Sequence, residues 1–240
     1  MKKTVVLLLS CLSLAACGGG DDSSGPPTPN QDAAGFYSIN STGIVGATVV
    51  FGDGTFYSVY GTANTVDGFI AGSGTSRNGS FTSSNARDYF VGGVLSPTLS
   101  ASYLSKRSIS GSVTYTNPAR TVPFTGNYDA FYEATQPLTS LVGSFSGNAA
   151  SPAGTETASV TVAGNGTFTG SGRSGCTFTG TATPKTGSTG FDVSMRFGVA
   201  PCTYPSQSVT GVAIVRNGQL IVMVTTADKN GALLFAGNRS

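Results

Sequence analysis

The residues with the most chemical potential in this chain are its four cysteines, because the sequence contains no histidine. Without histidine, Ser-His-Asp and Cys-His catalytic arrangements are excluded. Zinc sites combine cysteines with histidines or with further cysteines, so we expect no metal site. A Ser-Lys dyad or a pair of aspartates stays open, although the spacing Ser-x-x-Lys is absent. We therefore predict that the protein is not an enzyme and holds no cofactor.

Cys17 ends the segment LAAC, which follows an apolar run and precedes glycines and acids. Lys2 and Lys3, the apolar residues 5–14 and two alanines follow the order of an export signal. The apolar run is shorter than the about 20 residues that cross a bilayer as a helix. The alternative interpretation is an ordinary secretory signal with an incidental cysteine.

The segment LAAC resembles the lipobox of the envelope lipoproteins of Gram-negative bacteria. In that family the cysteine thiol is diacylated, the signal peptide is cut before the cysteine, and the new amino group is acylated, typically with palmitate. The resemblance implies that residues 1–16 are a signal peptide and that Cys17 carries the lipid. Several acyl chains, at about 0.8 kcal/mol per buried methylene, anchor a protein durably. Gly18 after the cysteine implies the outer membrane by the family's sorting pattern, with the periplasmic or surface face left open.

Residues 17–34 combine glycine, serine, proline, asparagine and acids, and they include no aromatic residue. Such a stretch buries too little apolar surface to offset the entropy lost on ordering. Its glycine-serine part is flexible and its GPPTP part extended. We predict a disordered tether between the lipid and the folded body.

The charge balance of the exported chain excludes several kinds of partner. Without Lys2 and Lys3, eleven basic residues face eleven acidic ones, and only 10% of the chain is charged. No basic patch indicates nucleic acid, and no acidic tract indicates a cationic macromolecule. The expected partners are the membrane, through the lipid, and a small-molecule or protein ligand that the sequence does not identify.

Cys176 and Cys202 are the two cysteines left after Cys11 is removed with the signal and Cys17 is acylated. Export delivers them to an oxidising compartment, where disulfides persist. A bridge between them would stabilise the fold by about 3.5 kcal/mol through loop-closure entropy. We predict this disulfide, and the alternative is two buried free thiols.

Comparing the chain with itself reveals a repeat, which predicts a duplicated domain of ordinary size. We assign residues 35–131 to the first repeat, 132–141 to a linker with a short helical turn, and 142–240 to the second repeat. Five segment pairs recur in the same order: GFYSI and GSFSG, VVFGDGTFYS and VTVAGNGTFTG, NGSFTSS and SGCTFTGT, RSISGSVTY and QSVTGVAIV, PFTGN and LFAGN.

Each half reads as short strands of alternating residues joined by tight turns. The dipeptides Asp53-Gly54, Asn165-Gly166 and Asn217-Gly218 each stand between two such runs and favour type I′ hairpin turns. Counting in this way gives about eight strands per half. Eight antiparallel strands joined by hairpins close into a barrel or fold into a sandwich. We predict an all-β fold with two tandem antiparallel up-and-down barrels, or barrel-like meanders.

The first strand of each half is rich in glycine and aromatic residues, and glycine-punctuated hairpins follow it. In this respect both halves resemble the eight-stranded barrels of lipocalin-like proteins and of proteobacterial surface lipoproteins. The resemblance implies a fold and an envelope location, and it implies no activity.

Three other patterns suggest chemistry and have simpler interpretations. The segment GSGRSG (Gly170–Gly175) matches a dinucleotide-binding pattern, but a strand pattern follows it where a helix would be needed. The segment ADKNGA (residues 227–232) suggests a calcium loop but lacks the further acidic ligands, so a hairpin turn is favoured. The glutamates Glu133 and Glu156 fit a linker and an exposed loop.

Eight of the nine tyrosines lie between Tyr37 and Tyr132, in the first repeat and the linker. Tyrosine is enriched at binding surfaces, but it also simply suits strands with one buried face. We predict a lipid-anchored binding or interaction protein of the cell envelope. The alternative is a structural or assembly accessory of the outer membrane with no small-molecule ligand. A polar and aromatic internal cavity would favour ligand binding, and a filled interior would favour a protein partner.

Overall fold

The computed structural model describes residues 32–62 and 65–240. Within them the chain is all β, which confirms the predicted fold class, with two short 3-10 helices at Ala130–Glu133 and Leu138–Ser140. The first half has eleven strands: β1 (Gly35–Ser41), β2 (Ile44–Val50), β3 (Thr55–Gly61), β4 (Val66–Ser73), β5 (Thr75–Arg77), β6 (Ser80–Ser83), β7 (Arg87–Phe90), β8 (Gly93–Leu95), β9 (Thr98–Leu104), β10 (Ser108–Thr116) and β11 (Ala119–Asp129). The second half has eight strands: β12 (Gly143–Ser151), β13 (Gly154–Val162), β14 (Thr167–Gly172), β15 (Thr177–Pro184), β16 (Phe191–Phe197), β17 (Ser208–Arg216), β18 (Gln219–Thr226) and β19 (Ala232–Arg239).

The second half is a closed barrel in which each strand pairs antiparallel with its neighbours in sequence. The first strand β12, with Phe145, also pairs with the last strand β19, with Phe235, which closes the ladder. Inward-facing residues alternate with exposed ones along β16, as a strand with one buried face requires. Because the sheet is closed, it leaves no free edge.

The first half is one curled sheet in the order β5-β6-β9-β10-β11-β1-β2-β3-β4-β7-β8. Although β4 and β5 lie far apart in this order, only Gly74 separates them in the chain. The sheet must therefore curl until β5, at one end, meets β4, the third strand from the other end. A Cβ atom at Gly74 would overlap the Phe81 ring and the carbonyl oxygen of Thr82, so glycine permits this close approach.

Taking β4 and β5 as one bent strand, and setting the β7–β8 hairpin aside, leaves eight strands in a meander. The first half is thus a barrel-like meander, and the second half is a closed barrel. The bent strand divides its pairing, because β4 pairs with β3 and β7 whereas β5 pairs with β6. The β7–β8 hairpin therefore lies where a regular barrel would continue the pairing of its fourth and fifth strands.

The hairpins β2–β3 and β13–β14 match in detail. Asp53 and Asn165 each accept hydrogen bonds from the backbone N–H and the hydroxyl of the threonine two residues later. The type I′ prediction is wrong at both places, because only Gly54 and Gly166 have positive φ, at 82° and 83°. Each glycine instead follows a turn as the left-handed residue of a longer loop. Asn217 and Gly218 both have positive φ, as a type I′ turn requires.

Three of the five recurring segment pairs occupy equivalent strands of the two halves. They are the first strands, the second hairpin and the last strands, β11 and β19. At the first of them, Tyr37 and Phe145 are equivalent, and both are fully buried. The other two pairs are displaced by one strand, since β10 is the seventh strand of its meander and β17 the sixth.

The outer faces of the two halves pack against each other through a continuous apolar cluster. Phe36 and Phe69 of the first half and Val212 and Met223 of the second half belong to it, and all four are buried. Among the described residues, no strand of one half pairs with a strand of the other. Each half therefore forms its own hydrogen-bond ladder. Side chains join the halves, together with the backbone hydrogen bond from the Gly92 N–H to the Pro152 carbonyl.

An ion pair beside the first 3-10 helix reinforces this contact between the halves. The Arg216 guanidinium lies 2.7 Å from the Asp129 carboxylate and 4.8 Å from the centre of the Phe131 ring. The backbone N–H of Phe131 and the nearby Arg216 lower the pKa of the Asp129 carboxyl. The predicted helical turn of the linker is present, as the two 3-10 helices.

Candidate functional site

The interiors of the two halves differ in how completely side chains fill them. Inside the second barrel, side chains such as Phe168, Phe178 and Met195 leave a cavity of only about 40 Å³. Inside the curled sheet of the first half, a cavity of about 230 Å³ remains, which we call the first-half cavity. Cavities of about 150 Å³ already bind benzene, and drug-sized pockets begin at about 300 Å³. The first half can therefore hold a small molecule.

The wall of the first-half cavity is largely apolar. Buried side chains, Val50, Phe56, Ile70, Phe81, Ile109 and Val113, line part of it. Half-buried side chains, Ile39, Ile44, Val122 and Phe124, line the part nearer to solvent. The inward positions of β1, β2, β3, β10 and β11 supply most of these residues, since alternate residues of a strand share one face.

Asp88 is the buried acid of this cavity. It lies on β7, where Tyr89 faces the apolar cluster between the halves and Asp88 faces the first-half cavity. The side chain is 1% exposed. Its carboxylate oxygens accept hydrogen bonds from the Tyr60 hydroxyl, at 2.6 Å, and the Tyr115 hydroxyl, at 2.8 Å. A carboxylate in an apolar wall needs such donors because burial removes its water.

The environment shifts the protonation of all three groups. Burial raises the pKa of the Asp88 carboxyl, while the two tyrosine hydrogen bonds and the more distant Arg120 act in the opposite direction. Burial, and then the nearby carboxylate, raise the pKa of Tyr60 and of Tyr115. Both phenols therefore keep their protons at neutral pH and remain donors.

Arg120 is an exposed residue at the solvent side of the same cavity. Its guanidinium carbon lies 4.2 Å from the centre of the Tyr115 ring, a distance typical of a cation–π contact. Among the described residues, Asp88 has no ion-pair partner within 4.0 Å. The carboxylate is thus held by hydroxyl groups, and the cation stays at the rim.

Two clefts lie beside the contact between the halves. One, of about 430 Å³, is lined by residues of both halves, including Phe36, Ile214 and Met223. The other, of about 370 Å³, includes Asp53 and the ion pair of Lys185 with Asp192. Neither cleft has a buried charged group aimed into it as the first-half cavity has.

The sequence-predicted site residues that the structure describes, Cys176 and Cys202, do not line this cavity. Cys17, the signal peptide and most of the tether lie outside the described residues. Cys176 and Cys202 form the predicted disulfide, and both are buried. The bridge ties the turn between β14 and β15 to the long loop between β16 and β17. Its role in the second half is therefore structural.

The weaker motifs take the simpler interpretations. Gly170–Gly175 covers the end of β14 and the turn after it, with no helix there to bind a phosphate. In the 227–232 segment, Asp228 accepts hydrogen bonds from the Thr226 hydroxyl and the Asn230 N–H, which forms a turn. No group of three or more candidate metal ligands occurs among the described residues.

One of the two glutamates lies where the sequence predicts, and the other does not. Glu133 lies in the linker and forms an ion pair with Lys106, as a linker residue can. The exposed-loop prediction for Glu156 is wrong, because Glu156 lies on β13 and is half-buried. Its carboxylate accepts a hydrogen bond from the Ser174 N–H, which holds the turn at one end of the second barrel.

Sequence reasoning missed Asp88 and its two tyrosines. The crowding of tyrosines in the first half was the available signal, and Tyr60 and Tyr115 belong to it. Most of the others have structural roles, such as Tyr37, whose hydroxyl donates to the Ala33 carbonyl. An acid inside the short strand sequence RDYF was a second signal, since charged residues are seldom buried without a partner.

No protein-family model matches the chain, and no curated protein matches it. Solved structures with a similar chain path include a proposed outer membrane protein of Bacteroides fragilis, at 14% identity and TM-score 0.28, covering 85% of this chain and 95% of that one. A mutant of transferrin binding protein B from Haemophilus parasuis matches at 8% identity and TM-score 0.28, covering 84% and 66%. A DUF3598-family protein of Nostoc punctiforme matches at 13% identity and TM-score 0.27, covering 87% of this chain and 96% of that one. Similarity at this level assigns no family and no ligand to the chain.

Proposed function

We propose that the protein is a lipid-anchored binding protein of the bacterial outer membrane that takes a small molecule into its first half. One observation carries the binding part: the first-half cavity of about 230 Å³, against about 40 Å³ in the second barrel. An apolar wall with a few placed polar groups is the usual composition of a ligand pocket. Asp88, Tyr60 and Tyr115 are those polar groups here.

The proposed location at the outer membrane rests mainly on the sequence. LAAC at residues 14–17 supports lipidation of Cys17, and Gly18 supports the outer membrane. The disulfide of Cys176 and Cys202 supports export, because disulfides persist in oxidising compartments. No described helix is long and apolar enough to cross a membrane.

We propose binding without catalysis. Among the described residues, Asp88 is the one carboxylate that lines the first-half cavity. Its oxygens accept hydrogen bonds from two tyrosines whose pKa values are raised, so neither phenol serves as a base near neutral pH. A single acid held in this way lacks the paired acid and base, or nucleophile and base, of common hydrolytic sites.

Native mass spectrometry of protein purified from its host tests the binding role. Val122 lines the solvent side of the cavity and is half-buried, so Val122→Phe narrows the cavity with little overpacking. Val45, which is 45% exposed on β2, provides the matched control Val45→Phe. We expect wild type and Val45→Phe to retain a small molecule and Val122→Phe to lose it. Wild-type protein that carries no small molecule, or equal retention by both variants, would contradict the proposal.

Metabolic labelling with a fatty-acid analogue tests the anchor. We expect label on the wild-type protein and on Cys11→Ser, because Cys11 lies within the signal that is removed. Cys17→Ser should take up no label and accumulate as precursor or as soluble protein. Equal labelling of Cys17→Ser and wild type would refute the lipoprotein assignment.

A further inference from the structure

The carboxylate of Asp88 has acceptor capacity that the protein leaves unused. An ionised carboxylate offers about four lone-pair sites. Two hydrogen bonds, from Tyr60 and Tyr115, are present in the described part of the chain. The group is 99% buried, and it lines the first-half cavity. The wall of the cavity therefore contains a carboxylate that water barely solvates.

The other polar groups of the cavity have mostly donated their protons elsewhere. The hydroxyls of Tyr60 and Tyr115 donate to Asp88, and the Ser41 hydroxyl donates to the Pro123 carbonyl at 2.6 Å. The Thr48 hydroxyl donates to the Ser58 hydroxyl at 2.7 Å. The remaining donors that line the cavity are the Ser58 hydroxyl and the Arg120 guanidinium at the rim, while the wall around Asp88 offers acceptors. A ligand that supplies donors complements it.

We propose that the first-half cavity binds a small, largely apolar molecule with a protonated amine, whose ammonium group donates to the Asp88 carboxylate. This inference rests on the proposed function, since it names the ligand class of the same cavity. The apolar body of the ligand lies against the wall that includes Phe56, Ile70 and Val113. The cavity of about 230 Å³ admits one aromatic ring with a short side chain.

The negative charge of Asp88 favours an amine over a ligand that carries a carboxylate or a neutral alcohol. A ligand carboxylate would place a second negative charge beside a buried one, and such pairs repel strongly where water is excluded. A neutral alcohol can donate, but its hydrogen bond to a carboxylate gains no ionic attraction. The ammonium group gains both, and charge-assisted hydrogen bonds are roughly twice as strong as neutral ones. Arg120 lies at the rim, where its cation disfavours a second ammonium group on the ligand.

Four probes, each a benzene ring with one short substituent, test the inference: benzylamine, benzyl alcohol, toluene and benzoate. Each is titrated into the full mature protein in mildly alkaline buffer, which favours the ionised form of a carboxyl whose pKa is raised by burial and leaves a primary amine protonated. Binding is followed by the backbone amide resonances of the residues around the cavity. We expect benzylamine to bind about 10-fold to 100-fold more tightly than toluene, the ratio that a hydrogen bond to a charged group supplies. Benzoate should bind most weakly.

Two variants locate the cause of that preference. Asp88→Asn keeps the size of the side chain and removes its charge, so it should lose the benzylamine preference and still bind toluene. Asp67→Asn changes an exposed aspartate near β7 and should behave as wild type. In wild-type protein with isotope-labelled aspartate carboxyls, benzylamine should shift the Asp88 side-chain resonance and toluene should not. This last measurement does not depend on the folding of a variant.

The outcomes separate the two proposals. If none of the four probes shifts the amides around the cavity, the proposed binding function is wrong. If toluene and benzylamine bind equally well, or Asp88→Asn keeps the amine preference, the cavity binds ligands but the inference of an amine is wrong. If benzylamine is preferred and Asp88→Asn abolishes that preference, both stand.

Discussion

The two halves share one order of eight meandering strands, but their interiors differ, and the first half also has a short inserted hairpin. In the second half, β15 pairs with β16 from Phe178 to Pro184, and the barrel closes around packed side chains. In the first half, the corresponding bent strand pairs partly with β7 and partly with β6. The inserted hairpin of residues 87–95 diverts the pairing and also contributes Asp88. Of the hairpin residues, Asp88 is the one that lines the first-half cavity, whose other walls come from the long strands of the sheet.

Under the proposed function, this difference assigns stability to the second half and binding to the first. The second barrel has a filled core and a disulfide, and neither leaves room for a ligand. The first half has an incompletely filled core and a buried acid, both of which cost stability. Sites that sacrifice stability in this way are where function is expected. The second half can supply the stable surface on which the first half packs.

The largest expected effect concerns the separation of the halves. Each half completes its own ladder, so residues 32–131 and 138–240 should both fold when expressed alone, with β-sheet circular dichroism and cooperative melting. The first fragment begins at residue 32 because Ala33 is buried in its core. Exposure of the shared apolar cluster should lower both melting temperatures, and mixing the fragments should restore them. Insolubility of both fragments would mean that the halves do not fold independently.

Loss of the disulfide should lower the stability of the second half alone. Replacing Cys176 and Cys202 by alanine removes a bridge with 26 residues of sequence separation, which should cost about 2–4 kcal/mol. Amide hydrogen exchange checks the prediction residue by residue. Exchange should accelerate across the second barrel and change little around the first-half cavity. Faster exchange confined to the first half would contradict the assignment of the bridge to the stability of the barrel.

Substitutions at the equivalent residues Gly74 and Ala182 compare the fourth strand of the first half with that of the second. The two residues are equivalent because their N–H groups donate to the Gly54 and Gly166 carbonyls. Gly74→Ala should cost about 1–3 kcal/mol, since the added Cβ overlaps Phe81. Ala182→Gly, the reverse change, should cost about 0.5–1 kcal/mol. Urea unfolding of both variants measures the two losses, and an equal or smaller loss for Gly74→Ala would show that the bend does not require glycine.

The smallest expected effect concerns pH. Burial holds the pKa of Asp88 above that of the unfolded chain, so the folded protein binds the proton at higher pH. Between the two pKa values, this group makes the wild type more stable as pH falls, and Asp88→Asn lacks that gain. The stability of the wild type relative to Asp88→Asn should therefore increase as pH falls from neutral. Urea unfolding of both proteins from neutral to acidic pH measures it, and parallel curves would contradict the shift.

Local sequence pattern predicted the strands and the disulfide well, because both depend on nearby residues or on a small choice of partners. Alternation around the Asp-Gly and Asn-Gly dipeptides located the hairpins β2–β3, β13–β14 and β17–β18, and two remaining cysteines allowed one pairing. The turn at Asp53-Gly54 was misread because a dipeptide does not determine the length of its loop. Asp88 was missed for a different reason. Its burial depends on which strand lies beside β4, and that neighbour is set by the bend at Gly74 and not by the sequence around Asp88.

The most direct test of the account is to map where toluene and benzylamine act on the whole protein. Amide resonances of the mature, disulfide-bonded chain would be followed in one titration with each probe. The account predicts shifts at inward-facing residues of the first half, such as Ile109, Val113 and Val122, and none at Val160 or Val193 inside the second barrel. Shifts of equal size in both interiors, or shifts confined to the clefts between the halves, would contradict it.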